Sequence, residues 1–213
     1  MESFHNIKIK TRCDVTLSQG NIPKIEIVND EGMKGWLLYE IKNGELILFT
    51  KPKHYRFLLM HDHYPKVNIT INFLNGVEIL DRAFVACSGV LQTPKLDLIV
   101  KSGHVKLDIN TGLLDLTILK KANVKLTGTS IISNILIHDV GFYNGEGLDA
   151  SEGNICLNRE AKAVISISDL FELRMYGRSR LEFKGRSKIT LINMDDGCSI
   201  SNKMTESISN CNI

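Results

Sequence analysis

No uninterrupted hydrophobic run in this 213-residue sequence approaches the roughly 20 residues that a membrane-spanning helix needs, so no membrane insertion is expected. The opening MESFHNIKIK has no basic segment leading into an apolar stretch. No secretory leader is therefore read there, which leaves either a cytoplasmic protein or one whose leader has been removed. No C-x-x-C pair occurs among Cys13, Cys87, Cys156, Cys198 and Cys211, and five thiols cannot all be bridged within one chain. Cys87 in FVAC and Cys156 in NICL read as small core hydrophobes, whereas Cys198 and Cys211 lie in a polar tail and read as free thiols. Neither a G-x-S-x-G elbow nor a phosphate-cradling glycine loop is present, and no Ser, His and acid group stands apart. Charge of one sign is lacking too. Lys and Arg number 26 against 24 Asp and Glu, a formal net charge of +2, and no specific nucleic-acid partner is expected.

Helical periodicity is almost as scarce, and what replaces it is alternation. NIKIK, DVTLSQ, KIEIV, ELILF, KVNITINF, KLDLIVK, HVKLDIN, LDLTI, NVKLTG, NILIHD, AVISIS, RLEFKG and KITLI all place apolar residues at every second position. A strand sends successive side chains to opposite faces, so this pattern means one face in a core and one in water. Even DLFELRMYG fits period two through Phe171, Leu173 and Met175 better than it fits 3.6. The chain is therefore read as all-β.

From residue 66 onward the strands recur every 8 to 12 residues, separated by Gly, Asn or Ser positions. Such spacing suits a β-sandwich, a barrel, or a solenoid whose coils take about 20 residues. Before residue 66 the pattern differs: LLYEIKNGELILF sets Asn43 and Gly44 between two alternating runs, a type I′ hairpin signal. Residues 1–196 are read as one domain with 1–65 as its antiparallel opening, and 197–213 as a polar tail that caps the last coil or hangs loose beyond about residue 205. If the body is a solenoid, Leu98, Leu107 and Leu116 are all expected in its core.

The order of these segments resembles a known family. FHNIKIKTRCDVTLSQG, then KIEIVND and YEIKNGELIL, are similar to the opening of the head GIN domain of putative autotransporter adhesins. Further on, KLDLIVKSGHVKL, NVKLTGTS, GEGLDASEG and LRMYGRSRLEFKG are similar to its repeated units of strand, Ser/Gly turn and strand, with Phe183 where Tyr is usual. The similarity spans roughly residues 4 to 190. It implies a right-handed parallel β-helix-like solenoid after the antiparallel hairpin region, a secreted or cell-surface location, and no established activity. The turns SGH, TGT and YGR are less glycine-rich than the family's SGSG.

Several residues could carry chemistry. Asp195 and Asp196 in MDDG, His104 after Gly103, and Arg186 with Lys188 are raw materials of a polysaccharide-cleaving β-helix. In pectin-degrading enzymes of that kind the acid pair comes first, whereas here it comes last; MDDG reads as a turn, and no catalytic residue is assigned. His54, His61 and His63 in HYRFLLMHDHY offer an H-x-H pair without a third ligand at fixed spacing, so no metal and no cofactor are expected. Trp36, Tyr39, Tyr55, Tyr64, Tyr143 and Tyr176 read as surface or turn aromatics, with Trp36 the plug of an open solenoid end.

The stretch LFELRMYGRSRLEFKGRSK holds Arg174, Arg178, Arg180, Lys184, Arg186 and Lys188; set against Glu172 and Glu182, six cations less two acids leave +4. These six read first as the solvated, mixed-charge side of the strands, which discourages edge pairing, and alternatively as candidate binding residues for an acidic glycan or protein surface, with Glu172 and Glu182 expected to pair with some of them. The functional reading is a non-enzymatic binding or scaffolding module, monomeric or weakly self-associating. A polysaccharide-active enzyme and a self-assembling structural protein are the alternatives.

Overall fold

A computed structural model describes residues 3–28, 33, 35–60 and 64–203. Five short strands open the chain: β1 (Asn6–Ile9), β2 (Asp14–Gln19), β3 (Lys24–Val28), β4 (Leu37–Lys42) and β5 (Glu45–Thr50). One helix, α1 (Pro52–Met60), precedes β6 (Lys66–Ile71) and β7 (Gly76–Ile79). Five long strands follow: β8 (Ala83–Val100), β9 (Gly103–Ile118), β10 (Asn123–Ile137), β11 (Phe142–Leu157) and β12 (Lys162–Met175). Three short ones end the body: β13 (Arg180–Lys184), β14 (Lys188–Met194) and β15 (Ser199–Asn202).

Each long strand is one coil with a corner in its middle. The first half of β8 pairs in parallel with β2, through Asp14↔Phe84 to Leu17↔Cys87. Its second half pairs in parallel with β7, through Gly76↔Asp97 to Ile79↔Val100. Repeating this from β8 to β12 builds a β-solenoid of about seven turns with two main faces. The sandwich alternative is thereby set aside.

Period-two alternation fills the interior with stacked columns. On the first face Val67, Val15, Val85, Val105, Val124, Tyr143, Ala163 and Leu181 are register neighbours, all buried. On the second face the column runs Leu46, Ile7, Val77, Leu98, Leu116, Ile135, Ile155 and Leu173, again all buried. Leu98, Leu107 and Leu116 are thus core residues as expected. Each such aliphatic side chain contributes about 1.5–3 kcal/mol on leaving water. At the corner between the faces, Thr93, Thr111 and Ser130 are buried, and each hydroxyl donates to the carbonyl two residues on, at 2.9, 3.0 and 2.9 Å. Those local bonds satisfy three hydroxyls that the bend would otherwise strand inside the protein.

Outward columns pair with themselves. Asn154 donates to Asn134, and Asn134 to Asp115, both at 2.8 Å, while the Lys95 ammonium bridges Asp97 and Asp115 at 3.0 and 3.1 Å. Burial alone would raise the Asp115 pKa; the bonds from Asn134 and Lys95 outweigh it and hold the carboxyl below its usual range.

Four expectations are refined. The hairpin at Asn43–Gly44 forms as read, with φ of 51° and 73° and antiparallel pairing of β4 with β5. Yet antiparallel pairing among the described strands is confined to β4–β5 and β3–β6; β1 and β2 already lie parallel within the stack, β1 between β5 and β7, β2 between β6 and β8. PKHYRFLLM forms α1, where Pro52 suits a first helical position and Leu58 is the buried residue. Tyr143 is a core residue, and Cys156 stands half-buried on an outward column beside Leu136 and Arg174, so two residues were read on the wrong side of their strands. Among the described residues the fully buried thiol is Cys13, whose pKa burial drives far up.

The ends differ. Trp36 packs against α1, stacking on His54 with ring centroids 5.4 Å apart at 14°. At the other end the second-face columns run out to Ile192 and Met194, 56% and 41% exposed. His61, His63 and Cys211, with the tail from residue 204, lie outside the described residues.

Candidate functional site

The six cations occur within little more than one coil, and the solenoid distributes them around it. Arg174 lies on the second face in β12, and its guanidinium pairs with Glu172 at 3.1 Å. Arg178 stands in the following turn and pairs with Glu160 at 2.9 Å. Arg180 opens β13 on the first face, directly above Lys162 in register. Lys184 and Arg186 flank Gly185 at the opposite corner, beside a depression of about 530 Å³ that they line with Asp149, Ser166 and Ser168. Lys188 starts β14 on the second face, next to Leu170. Only Lys184 and Arg186 line one depression. Glu172 pairs with a cation of the set as expected, whereas Glu182 is engaged by Lys203 at 3.4 Å, a partner the alternation did not identify.

The remaining enzyme-like residues are dispersed. Asp195 makes a turn: its carboxylate accepts the Gly177 backbone N–H at 2.9 Å, and its carbonyl accepts that of Cys198 at 3.1 Å. His104 faces outward on the first face, four rungs before Arg180, or about 19 Å at the usual spacing of neighbouring strands. Among the described residues no group of three or more His, Cys, Asp or Glu is placed to hold a metal ion.

A second cluster was not apparent from alternation. Arg12, Asp14, Tyr64, Arg82, Phe84, Ser102, His104 and Lys121 surround a cavity of about 310 Å³ where the first face meets a ridge of turns. Arg82, Ser102 and Lys121 come from successive turns at equivalent register positions, 20 and 19 residues apart. That spacing is the signal that could have found them: once the coil length is known, residues one coil apart are neighbours.

Arg12 is held from two sides, its guanidinium 4.7 Å from the centre of the Tyr64 ring and its Nη1 donating to the Leu58 carbonyl at 3.3 Å. Its Nε is buried without a hydrogen-bond partner among the described residues. The two oxygens of nearby Asp81 are already engaged, one by the Tyr55 hydroxyl at 2.6 Å and the other by the Arg82 backbone N–H at 2.7 Å. Tyr55 is correspondingly held in its protonated form, first by that hydrogen bond and then by burial. Asp14 is the one carboxylate in the lining; burial raises its pKa, and Lys66 offsets part of the rise. Among the described residues, three basic side chains, Arg12, Arg82 and Lys121, thus face a single acid.

No curated protein matches the sequence. Solved structures do match in fold. A putative adhesin from Bacteroides fragilis superposes with a TM-score of 0.86 at 20% identity, covering 94% of this chain and 93% of its own. A putative adhesin from Parabacteroides distasonis gives 0.75 at 13% identity, over 95% and 93%. A protein from the same species named as a putative lipid binding protein gives 0.70 at 13% identity, over 95% and 93%. Residues 3–187 match the family described as putative auto-transporter adhesin, head GIN domain, and the chain belongs to that family.

Proposed function

We propose that this protein is a non-enzymatic binding module that works at a cell surface, touching an anionic partner through the cations of its final coils. One observation carries the reading. Arg180 lies directly above Lys162 in parallel register on an exposed face, and neither has an ion-pair partner among the described residues. Like charges on adjacent strands cost stability unless something of opposite sign approaches them. Lys184 and Arg186 extend this positive region to the corner, while Arg174 and Arg178 are already neutralised by their own acids. The family's adhesin name supports a surface role, and the partner class is an acidic glycan or an acidic protein surface.

The test is retention on a heparin column at low salt. Wild-type protein is expected to be retained and to elute as salt rises, since such contacts are screened over about 10 Å at 0.1 M. A triple variant, Arg180→Glu, Lys184→Glu, Arg186→Glu, is expected to elute at clearly lower salt. Equal behaviour of the two proteins would reduce these side chains to the solvated side of the strands, where mixed charge merely prevents edge pairing.

A further inference from the structure

From the cavity at the turn ridge we infer a second, smaller binding site, built for one anionic sugar ring. The inference rests on the binding-module reading but concerns a different place, at the first body coils. Among the described residues its lining is cationic: Arg12, Arg82 and Lys121 face Asp14, and neighbouring Asp81, whose oxygens accept from the Tyr55 hydroxyl and the Arg82 backbone, is not part of the lining. Arg82 and Lys121 have no ion-pair partner among the described residues. Arg12 is preorganised, because the Tyr64 ring and the Leu58 carbonyl fix its guanidinium while its buried Nε has no acceptor among the described residues. A fixed guanidinium donates to a carboxylate or sulfate with little further loss of freedom.

The cavity also has ring-sized apolar walls. Phe84 is exposed on the first face next to His104 in register, and Tyr64 forms another wall. A volume of about 310 Å³ lies at the small end of the range for ligand pockets. Aromatic faces pack against the apolar side of a pyranose while the cations take its charged group. Lys106 and Lys125 continue the cationic surface outward; they are adjacent in register, exposed, and one alternation step beyond His104 and Asn123. A longer chain of acidic sugars entering the cavity by its end would therefore meet further cations along the same face.

The ligand class is thus the terminal acidic residue of a carboxylated or sulfated polysaccharide. Trigalacturonate serves as probe, with a neutral galactose trisaccharide and sodium sulfate as the other arms, measured by titration calorimetry at low salt. Wild-type protein is expected to bind trigalacturonate, and an Arg82→Glu, Lys121→Glu variant to bind it at least tenfold more weakly. Both residues are exposed in turns, so an unchanged circular dichroism spectrum is expected to show that the variant folds. Phe84→Ala is expected to weaken trigalacturonate while leaving any sulfate binding unchanged. Equal binding of the neutral trisaccharide, equal affinity for free sulfate, or an unaffected double variant would each overturn the assignment. Absence of trigalacturonate binding alongside intact heparin retention would remove this site and leave the final-coil reading standing. The reverse result would remove the final coil and leave the cavity.

Discussion

Leu116→Ala tests the architecture most directly. Leu116 is 1% exposed and stacked between Leu98 and Ile135 in a column whose spacing is set by backbone ladders above and below. Parallel strands pinned about 4.8 Å apart cannot close over a missing isobutyl group, so little of the cavity collapses. The cost belongs in the upper part of the Leu→Ala range, about 3–5 kcal/mol. For a chain of this size that lowers Tm by roughly 6–20 °C, at about 2–4 °C per kcal/mol. Urea denaturation followed by far-UV circular dichroism reads the whole stack, whereas fluorescence of the single Trp36 reads the end where α1 packs. The next residue supplies the control: Thr117 points outward, and Thr117→Ala is expected to change stability by no more than about 0.5 kcal/mol. A one-residue slip of register would exchange the two roles. A loss below about 1 kcal/mol for Leu116→Ala, or an equal loss for Thr117→Ala, refutes the column.

Two further outcomes concern buried polar groups. Ser133 is 1% exposed and its hydroxyl has no hydrogen-bond partner among the described residues, so Ser133→Ala is expected to stabilise the fold by about 1 kcal/mol; a destabilisation in urea would show that the hydroxyl is satisfied after all. Glu78 receives both Lys8 and Lys101: burial pushes its carboxyl up, but those bonds outweigh it and leave the pKa below the usual value. Because the folded pKa is the lower one, this contribution is complete above the unfolded value near about 4.3 and is lost as pH falls through the folded value. Glu78→Gln is therefore expected to be less stable than wild type at pH 7 and indistinguishable from it at strongly acid pH, as read by urea midpoints; a gap that persists in acid would assign the effect to packing.

Legibility in the sequence followed the range of each interaction. Alternation reports which way a side chain points, and it placed Leu98, Leu107, Leu116 and Phe171 in the core because burial on a strand depends on neighbours two positions away. Tyr143 and Cys156 obey the same rule: buried Ile155 and Leu157 flank outward Cys156, and Tyr143 shares the inward phase of Gly145, so both were misplaced by reading a thiol as core and a phenol as surface from residue type instead of from phase. The helix α1 was obscured because only Leu58 of its nine residues is buried, which leaves too little apolar stripe for a helical period to stand out. Cation clustering in sequence did not become clustering in space, because a coil turns through all its faces within about 20 residues. The cavity at Arg12, Arg82 and Lys121 shows the converse: charges 39 and 70 residues apart become neighbours once the coils are stacked.

The stacked outward columns also act as a ruler. Side chains on any one column, such as Asp115, Asn134 and Asn154, repeat with the fixed interval between parallel strands, about 4.8 Å, and no loop motion can stretch that interval without breaking the ladder. A partner that lies along the solenoid axis must therefore carry its own matching groups at multiples of that step. Under the proposed binding function, polymers of identical charge but mismatched repeat are therefore expected to bind more weakly than those whose period matches the step.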